Sequence, residues 1–205
     1  MSALILEDKV KNNRDLFVRG VRVVAAALST DPNFLMAVMW AESRLNPQAQ
    51  NTRFPLSGGF ATGLIQFTPD TARALGTSVD ALYHMSNVEQ LPYIEKYFRP
   101  YAGRLKTYFD VYAAVFFPAA IGKADTWVFE TSRLSRSRIA AMNPAIDLDG
   151  NGEITVGEFK KYLENSVPVK IRKLIFYAGG FIGKNPGLSV LVILSLLLML
   201  VYGSK

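Results

Sequence analysis

Apolar residues recur every three to four positions through most of residues 10–165, and Gly, Pro, Asn and Ser interrupt the recurrence at short intervals. That period predicts helices over 12–28, 32–45, 69–75, 88–99 and 105–121. Shorter helices are expected over 133–142 and 156–164. No segment alternates apolar and polar positions as a half-buried strand does, and no repeat or low-complexity stretch is present. An all-α chain follows, with a compact helical domain ahead of a small module.

The last stretch differs in kind. Residues 187–203 read GLSVLVILSLLLMLVYG, with no charge and only Ser189 and Ser195 as polar side chains. The segment from Leu188 to Tyr202 makes a helix of about 22 Å, short of a hydrocarbon core of about 30 Å. Starting near Phe181, with Lys184 snorkelling to the interface, brings it into range. A buried core helix is the alternative, but such a helix seldom lacks a polar face for so long, and the pattern favours a C-terminal transmembrane helix. Lys170, Arg172, Lys173 and Lys184 precede the run and Lys205 follows it, a bias that places the long N-terminal part on the cytoplasmic side. The N-terminus has no apolar core followed by a small-residue cleavage site, so no secretory signal is visible.

Composition narrows the chemistry. The chain has 205 residues, no cysteine and one histidine. Disulfide frameworks, Cys-based zinc sites and His clusters are excluded, as are Ser-His and Cys-His triads built on any residue but His84. His84, in Tyr83-His84-Met85, reads as a structural residue, and Trp40 as a core residue. The net charge of +6 is a weak argument for an anionic partner. Arg133, Arg136 and Arg138 recur at helical spacing without interleaved aromatics, so they read as a solvated face and no nucleic acid is expected.

One carboxylate stands out. The helix expected from Asp31-Pro32 has a good N-cap followed by proline at its first position. At about 100° per residue, Glu42 falls among Leu35, Val38 and Met39 on the apolar face. A carboxylate so placed is desolvated in its charged form, which favours the protonated state that a general acid needs. The same spacing equally allows Glu42 to reach solvent at the end of the helix.

The surrounding residues decide between these readings. They run Ala41-Glu42-Ser43-Arg44-Leu45-Asn46-Pro47, then Gly58-Gly59-Phe60-Ala61-Thr62-Gly63-Leu64-Ile65-Gln66-Phe67-Thr68-Pro69-Asp70-Thr71-Ala72. The pair resembles the E-S-x-x-N-P and G-A-x-G-L-M-Q-x-x-P-x-T-A motifs of the lytic transglycosylases, lysozyme-like enzymes that cleave the glycan strand of peptidoglycan. By order of elements the resemblance extends over about residues 12–138. Gly58, Gly59 and Gly63 suit tight turns beside a cleft. Gln66, a polar amide between Ile65 and Phe67, either bonds internally or presents itself to a ligand such as an N-acetyl sugar, and the resemblance favours the ligand. A third family motif, A-Y-N, has its best counterpart at Tyr112-Ala113-Ala114, where the Tyr matches and the Asn does not.

The resemblance implies a substrate-binding set of Ser43, Gly63, Gln66, Tyr112 and Phe116 around catalytic Glu42, with Tyr112 orienting the carboxyl. It implies cleavage of the bond between N-acetylmuramic acid and N-acetylglucosamine with 1,6-anhydro ends on the product. A lysozyme-type hydrolase would need a second carboxylate, for which Asp70, Asp110 and Asp125 are available. A scaffold that has lost its chemistry, and binds or stiffens the cell wall, is the reading from another class.

A second motif is independent of the first. Residues 147–158 read DLDGNGEITVGE and fit the twelve-residue EF-hand loop. Ca2+ would be held by Asp147, Asp149, Asn151, the backbone carbonyl of Glu153, Thr155 and bidentate Glu158, with Gly152 at the sharp turn. No second loop is available to pair with it, so a structural clip is expected rather than a sensor.

The expected organisation is a lysozyme-like domain over 1–140, an EF-hand-like calcium loop over 141–165, a basic juxtamembrane linker over 166–185 and a transmembrane anchor over 186–203. The expected partners are a peptidoglycan glycan strand, a lipid bilayer and virion proteins. The location poses a conflict, because peptidoglycan lies beyond the membrane on whose inner side the charge bias places the domain. A bacteriophage enzyme carried in a virion with a membrane, and acting on the host envelope during entry, resolves it.

Overall fold

A computed structural model describes residues 2–167 together with 171 and 172. It is helical, with no strand among the described residues. The helices are α1 (Arg14–Leu28), α2 (Pro32–Ser43), α3 (Pro69–Ala74), α4 (Val79–His84), α5 (Asn87–Phe98), α6 (Tyr108–Phe116), α7 (Arg136–Met142) and α8 (Val156–Ser166). The chain divides into two compact units, residues 1–111 and 112–205, and the division falls within α6.

The first unit is built on α1, which packs against α5 and α2. Phe17, Val21, Leu28, Leu35, Met36, Met39, Leu82, Ile94 and Phe98 are all buried in it. The helix starts are set by side chains that take up orphan backbone N–H groups. Asp31, Thr68, Ser78 and Ser86 each accept from a first-turn N–H, and Ser86 with Glu89 completes a capping box on α5. Helix α4 lies in a stretch where the apolar period is too short to predict one. Thr30 Oγ1 donates to Leu105 O at 2.7 Å and Gly103 N to Leu28 O at 3.1 Å, so the end of this unit is tied to the α1–α2 turn.

The helix expected over 105–121 is shorter at both ends. Asp110 Oδ2 accepts from Thr107 N at 2.9 Å, Thr107 Oγ1 at 2.8 Å and Lys106 N at 3.2 Å, which fixes the start of α6 after residue 107. Pro118, which has no N–H to continue the ladder, ends it, and a 3₁₀ turn over Pro118–Ala120 follows.

In the second unit an aromatic cluster forms the core. Phe117 stacks on Phe129 at 4.6 Å between centroids, and Phe116 and Phe129 lie 4.7 and 5.5 Å from Phe159. Residues 125–129 run beside 154–157 through Phe129 N to Ile154 O at 2.8 Å, Val156 N to Trp127 O at 2.9 Å and Gly157 N to Asp125 O at 2.9 Å. After α8, Arg172 folds back and donates to Val167 O at 2.9 Å and Asn165 O at 3.0 Å, satisfying carbonyls at the helix end.

Among the described residues no single helix is long and apolar enough to cross a membrane. The run expected to do so, 186–203, lies outside the described residues, as do Lys170, Lys173 and Lys184 of the linker.

Candidate active site

Helix α2 delivers Glu42 one residue before its end. The helix is not amphipathic as the periodicity expects, because Met36 and Ala37 are buried along with Leu35, Val38 and Met39. Glu42 itself is half-buried, and its Oε1 is sealed from solvent. Trp40 corrects another expectation. It is half-buried rather than a core residue, and the Arg44 guanidinium lies 5.0 Å from its ring centroid, which lets one indole face border polar surroundings.

The end of α2 is unusual. Arg44 and Leu45 both adopt left-handed backbone, with φ of 57° and 60°. Arg44 N donates to Trp40 O at 3.0 Å and Leu45 N to Met39 O at 3.3 Å, so carbonyls of the last turn are satisfied through a left-handed backbone normally given to glycine. Left-handed non-glycine residues cost about 1–3 kcal/mol each. Two in succession turn the chain sharply away just after Glu42 and Ser43.

The glycine-rich segment folds back beside this turn. Gly63 N donates to Ala49 O at 2.9 Å, and Thr62 and Phe67 exchange N–H···O bonds of 2.9 Å, closing a tight loop between them. Gly63 has φ of +88° and Gln66 has +55°. Gly63 has a further reason to lack a side chain, since a Cβ there would lie 2.6 Å from Gln90 Oε1. Ser43 Oγ is buried and within hydrogen-bonding distance of Met39 O at 2.9 Å and Leu64 O at 3.0 Å, so the residue after Glu42 is clipped to the loop. Gln66 Nε2 donates to Ala49 O at 3.1 Å and Gly63 O at 3.0 Å. Both amide protons are spent on these backbone carbonyls, which leaves the side-chain oxygen as an acceptor.

Gln90, which the sequence pattern does not single out, completes this arrangement. It is fully buried and accepts from Leu64 N at 2.8 Å. The available signal was an amide at the inward position of α5 that Ile94 and Phe98 continue.

Two of the carboxylates available to a hydrolase, Asp70 and Asp110, are engaged elsewhere. Asp110 caps α6, and exposed Asp70 is ion-paired with Arg73. In the second unit Asp125 pairs with Lys160 at 2.6 Å. His84 is exposed, 3.8 Å from Asp80. Tyr112 and Phe116 are buried in the second unit, with Tyr112 edge-on to Phe159 at 5.9 Å between centroids.

The loop over 147–158 is a separate polar centre. One oxygen each of Asp147, Asp149 and Glu158 lie within 4.8 Å of one another. Asn151 N donates to Asp147 Oδ1 and Asp149 Oδ1, both at 3.1 Å, and Gly152 N to Asp147 Oδ2 at 3.0 Å. Gly152 has φ of +83°. Glu158 Oε1 accepts from Leu148 N, and Oε2 from Thr155 N and Oγ1. Burial works to raise the Glu158 carboxyl, but these hydrogen bonds outweigh it and hold the group below the ordinary carboxylate value. Glu153 lies in the same loop with its carboxylate turned to Arg136 at 3.3 Å. Three converging carboxylates with only oxygen donors fit a hard cation.

Residues 21–92 match the family model described as the transglycosylase SLT domain. This segment carries a lytic transglycosylase domain. The match spans α2 with Glu42, the glycine-rich loop and the first half of α5 with Gln90. Enzymes with this domain act on peptidoglycan, and that is the general activity of the chain. No curated protein and no solved structure matches it.

Proposed function

We propose that the chain is a membrane-anchored lytic transglycosylase in which Glu42 is the single acid and base. The observation that carries this reading is the sealed Oε1 of Glu42 at the end of a helix clipped, through Ser43 and Leu64, to the loop that bears Gln66. In this reading the Glu42 carboxyl donates its proton to the glycosidic oxygen between N-acetylmuramic acid and N-acetylglucosamine. The substrate's own 2-acetamido carbonyl then stabilises the sugar cation, so no second carboxylate is needed. The ionised Glu42 next takes the proton of the muramyl C6 hydroxyl, and that oxygen closes on C1 because an intramolecular hydroxyl has a high effective concentration. The engagement of Asp70 with Arg73, and of Asp110 in its cap, favours this course over hydrolysis.

The loop over 147–158 takes calcium in this reading, through Asp147, Asp149, Asn151, the Glu153 carbonyl, Thr155 and Glu158. The cation neutralises three carboxylates that otherwise repel. The apolar 186–203 segment anchors the chain in a bilayer, and a bacteriophage virion that opens the host wall during entry is the setting that reconciles anchor and substrate.

Mass spectrometry of products from purified peptidoglycan tests the chemistry. Anhydro-ended muropeptides are expected from the wild type, and Glu42→Gln should reduce their formation by about a thousandfold or more without loss of folding. Reducing-end products, heavier by one water, would assign hydrolysis instead.

A further inference from the structure

Gln90 lies in the middle of α5, where a helix packed on a hydrophobic core ordinarily presents an apolar side chain. It has no exposure to solvent. Its amide uses three hydrogen bonds, all to backbone. Oε1 accepts from Leu64 N at 2.8 Å, and Nε2 donates to Pro47 O at 2.7 Å and Leu82 O at 2.8 Å. Pro47 belongs to the turn after Glu42, Leu64 to the glycine-rich loop and Leu82 to α4. One side chain thus joins three segments that meet only in the folded chain.

The geometry at Leu64 gives these bonds a role beyond satisfying the core. The Leu64 N–H is held by Gln90, and its C=O faces the hydroxyl of Ser43, the residue after Glu42. Two residues later the chain reaches Gln66 in left-handed backbone, φ +55°. The loop approaches the amide so closely that a Cβ on Gly63 would lie 2.6 Å from Oε1. A buried amide with both donors and its oxygen engaged in this way fixes one arrangement, because any slip of the loop leaves polar groups unpaired in the core.

We infer that Gln90 is a positioning residue for the Glu42 site, setting the loop that carries Gln66 against the end of α2. The inference rests on the catalytic reading of Glu42. It predicts that losing the amide slows turnover on a correctly folded domain, since a displacement of about 1 Å can cost a hundredfold in rate.

Two substitutions test it, assayed on soluble glycan fragments of peptidoglycan where circular dichroism shows each protein fully folded. Gln90→Met keeps the volume and removes the hydrogen bonds. Its kcat is expected to fall about ten- to hundredfold with little change in KM, and amide exchange at Leu64 to quicken while amides in α1 keep their protection. Gln90→Glu keeps an acceptor for Leu64 N but sets an oxygen against the Pro47 and Leu82 carbonyls. Protonation gives that oxygen a hydrogen to donate, so the ratio of its kcat to the wild-type value should rise as pH falls from about 8 to about 5. Wild-type kcat and Leu64 exchange in Gln90→Met would overturn the assignment. If that variant does not fold, Gln90→Glu decides alone, and a ratio independent of pH overturns it. Glu42→Gln run in parallel separates the two readings. Full activity there would remove Glu42 as the catalyst, whereas unchanged Leu64 exchange in Gln90→Met would remove Gln90 as the tether.

Discussion

A serine hydroxyl has one proton to donate, and Ser43 holds it between two carbonyls, Met39 O in its own helix and Leu64 O in the loop. The resemblance assigns this residue to substrate, and the fold gives its buried hydroxyl an internal partner 21 residues along the chain. Ser43→Ala should therefore act on stability as well as activity. Leaving a buried Leu64 carbonyl without this partner costs about 1–3 kcal/mol, to be read as a lower urea midpoint at unchanged slope. Asp110 teaches the same lesson from the other direction. It is one of three Asp residues that a hydrolase reading could recruit, yet its carboxylate is taken up by the backbone of residues 106 and 107 and by the Thr107 hydroxyl. Sequence names the residue type at such positions, and only the fold shows which partner has already claimed it.

At the scale of elements, the loop over 147–158 and helix α8 act as one device. Thr155 caps α8 and Glu158 caps it reciprocally, so the last residue of the loop is also in the first turn of the helix. Loop and helix are further joined to residues 125–129 by backbone hydrogen bonds, and Phe129 carries that pairing into the aromatic core. Binding of calcium should accordingly stabilise the second unit rather than the loop alone. Addition of millimolar calcium to chelator-treated protein is expected to stabilise it by about 2–3 kcal/mol, as a ligand at about a hundred times its Kd does, and so to raise its melting temperature. Asp147→Asn should weaken that response, and differential scanning calorimetry would show it. A melting temperature indifferent to calcium in the wild type would remove the cation from the picture. Expected helices match observed ones closely where caps are explicit, as at Asp31-Pro32 and Thr68-Pro69. They overrun at α6, where the Thr107–Asp110 cap sets the start and Pro118 the end.

The whole molecule joins two compact units through a single helix, a division that no glycine or proline announces because it falls inside the apolar run of α6. The anchor belongs to this scale. Removing residues 186–205 should release the protein from lipid vesicles while anhydro-product formation is retained, and flotation of full-length and shortened chains would reveal it. Continued flotation of the shortened chain would place membrane attachment elsewhere. What the sequence by itself determined is what local chemistry governs: helical period, caps, the spacing of Glu42 from Gln66, and the oxygen-rich register of residues 147–158. The tertiary structure alone decided which groups meet across the chain. Gln90 joining Pro47, Leu64 and Leu82, and Ser43 reaching Leu64, both depend on contacts between segments. A linear pattern records the hydrophobicity of each position. The pairing of buried polar groups depends on where the backbone brings distant carbonyls and amides together, and that is set only when the helices pack.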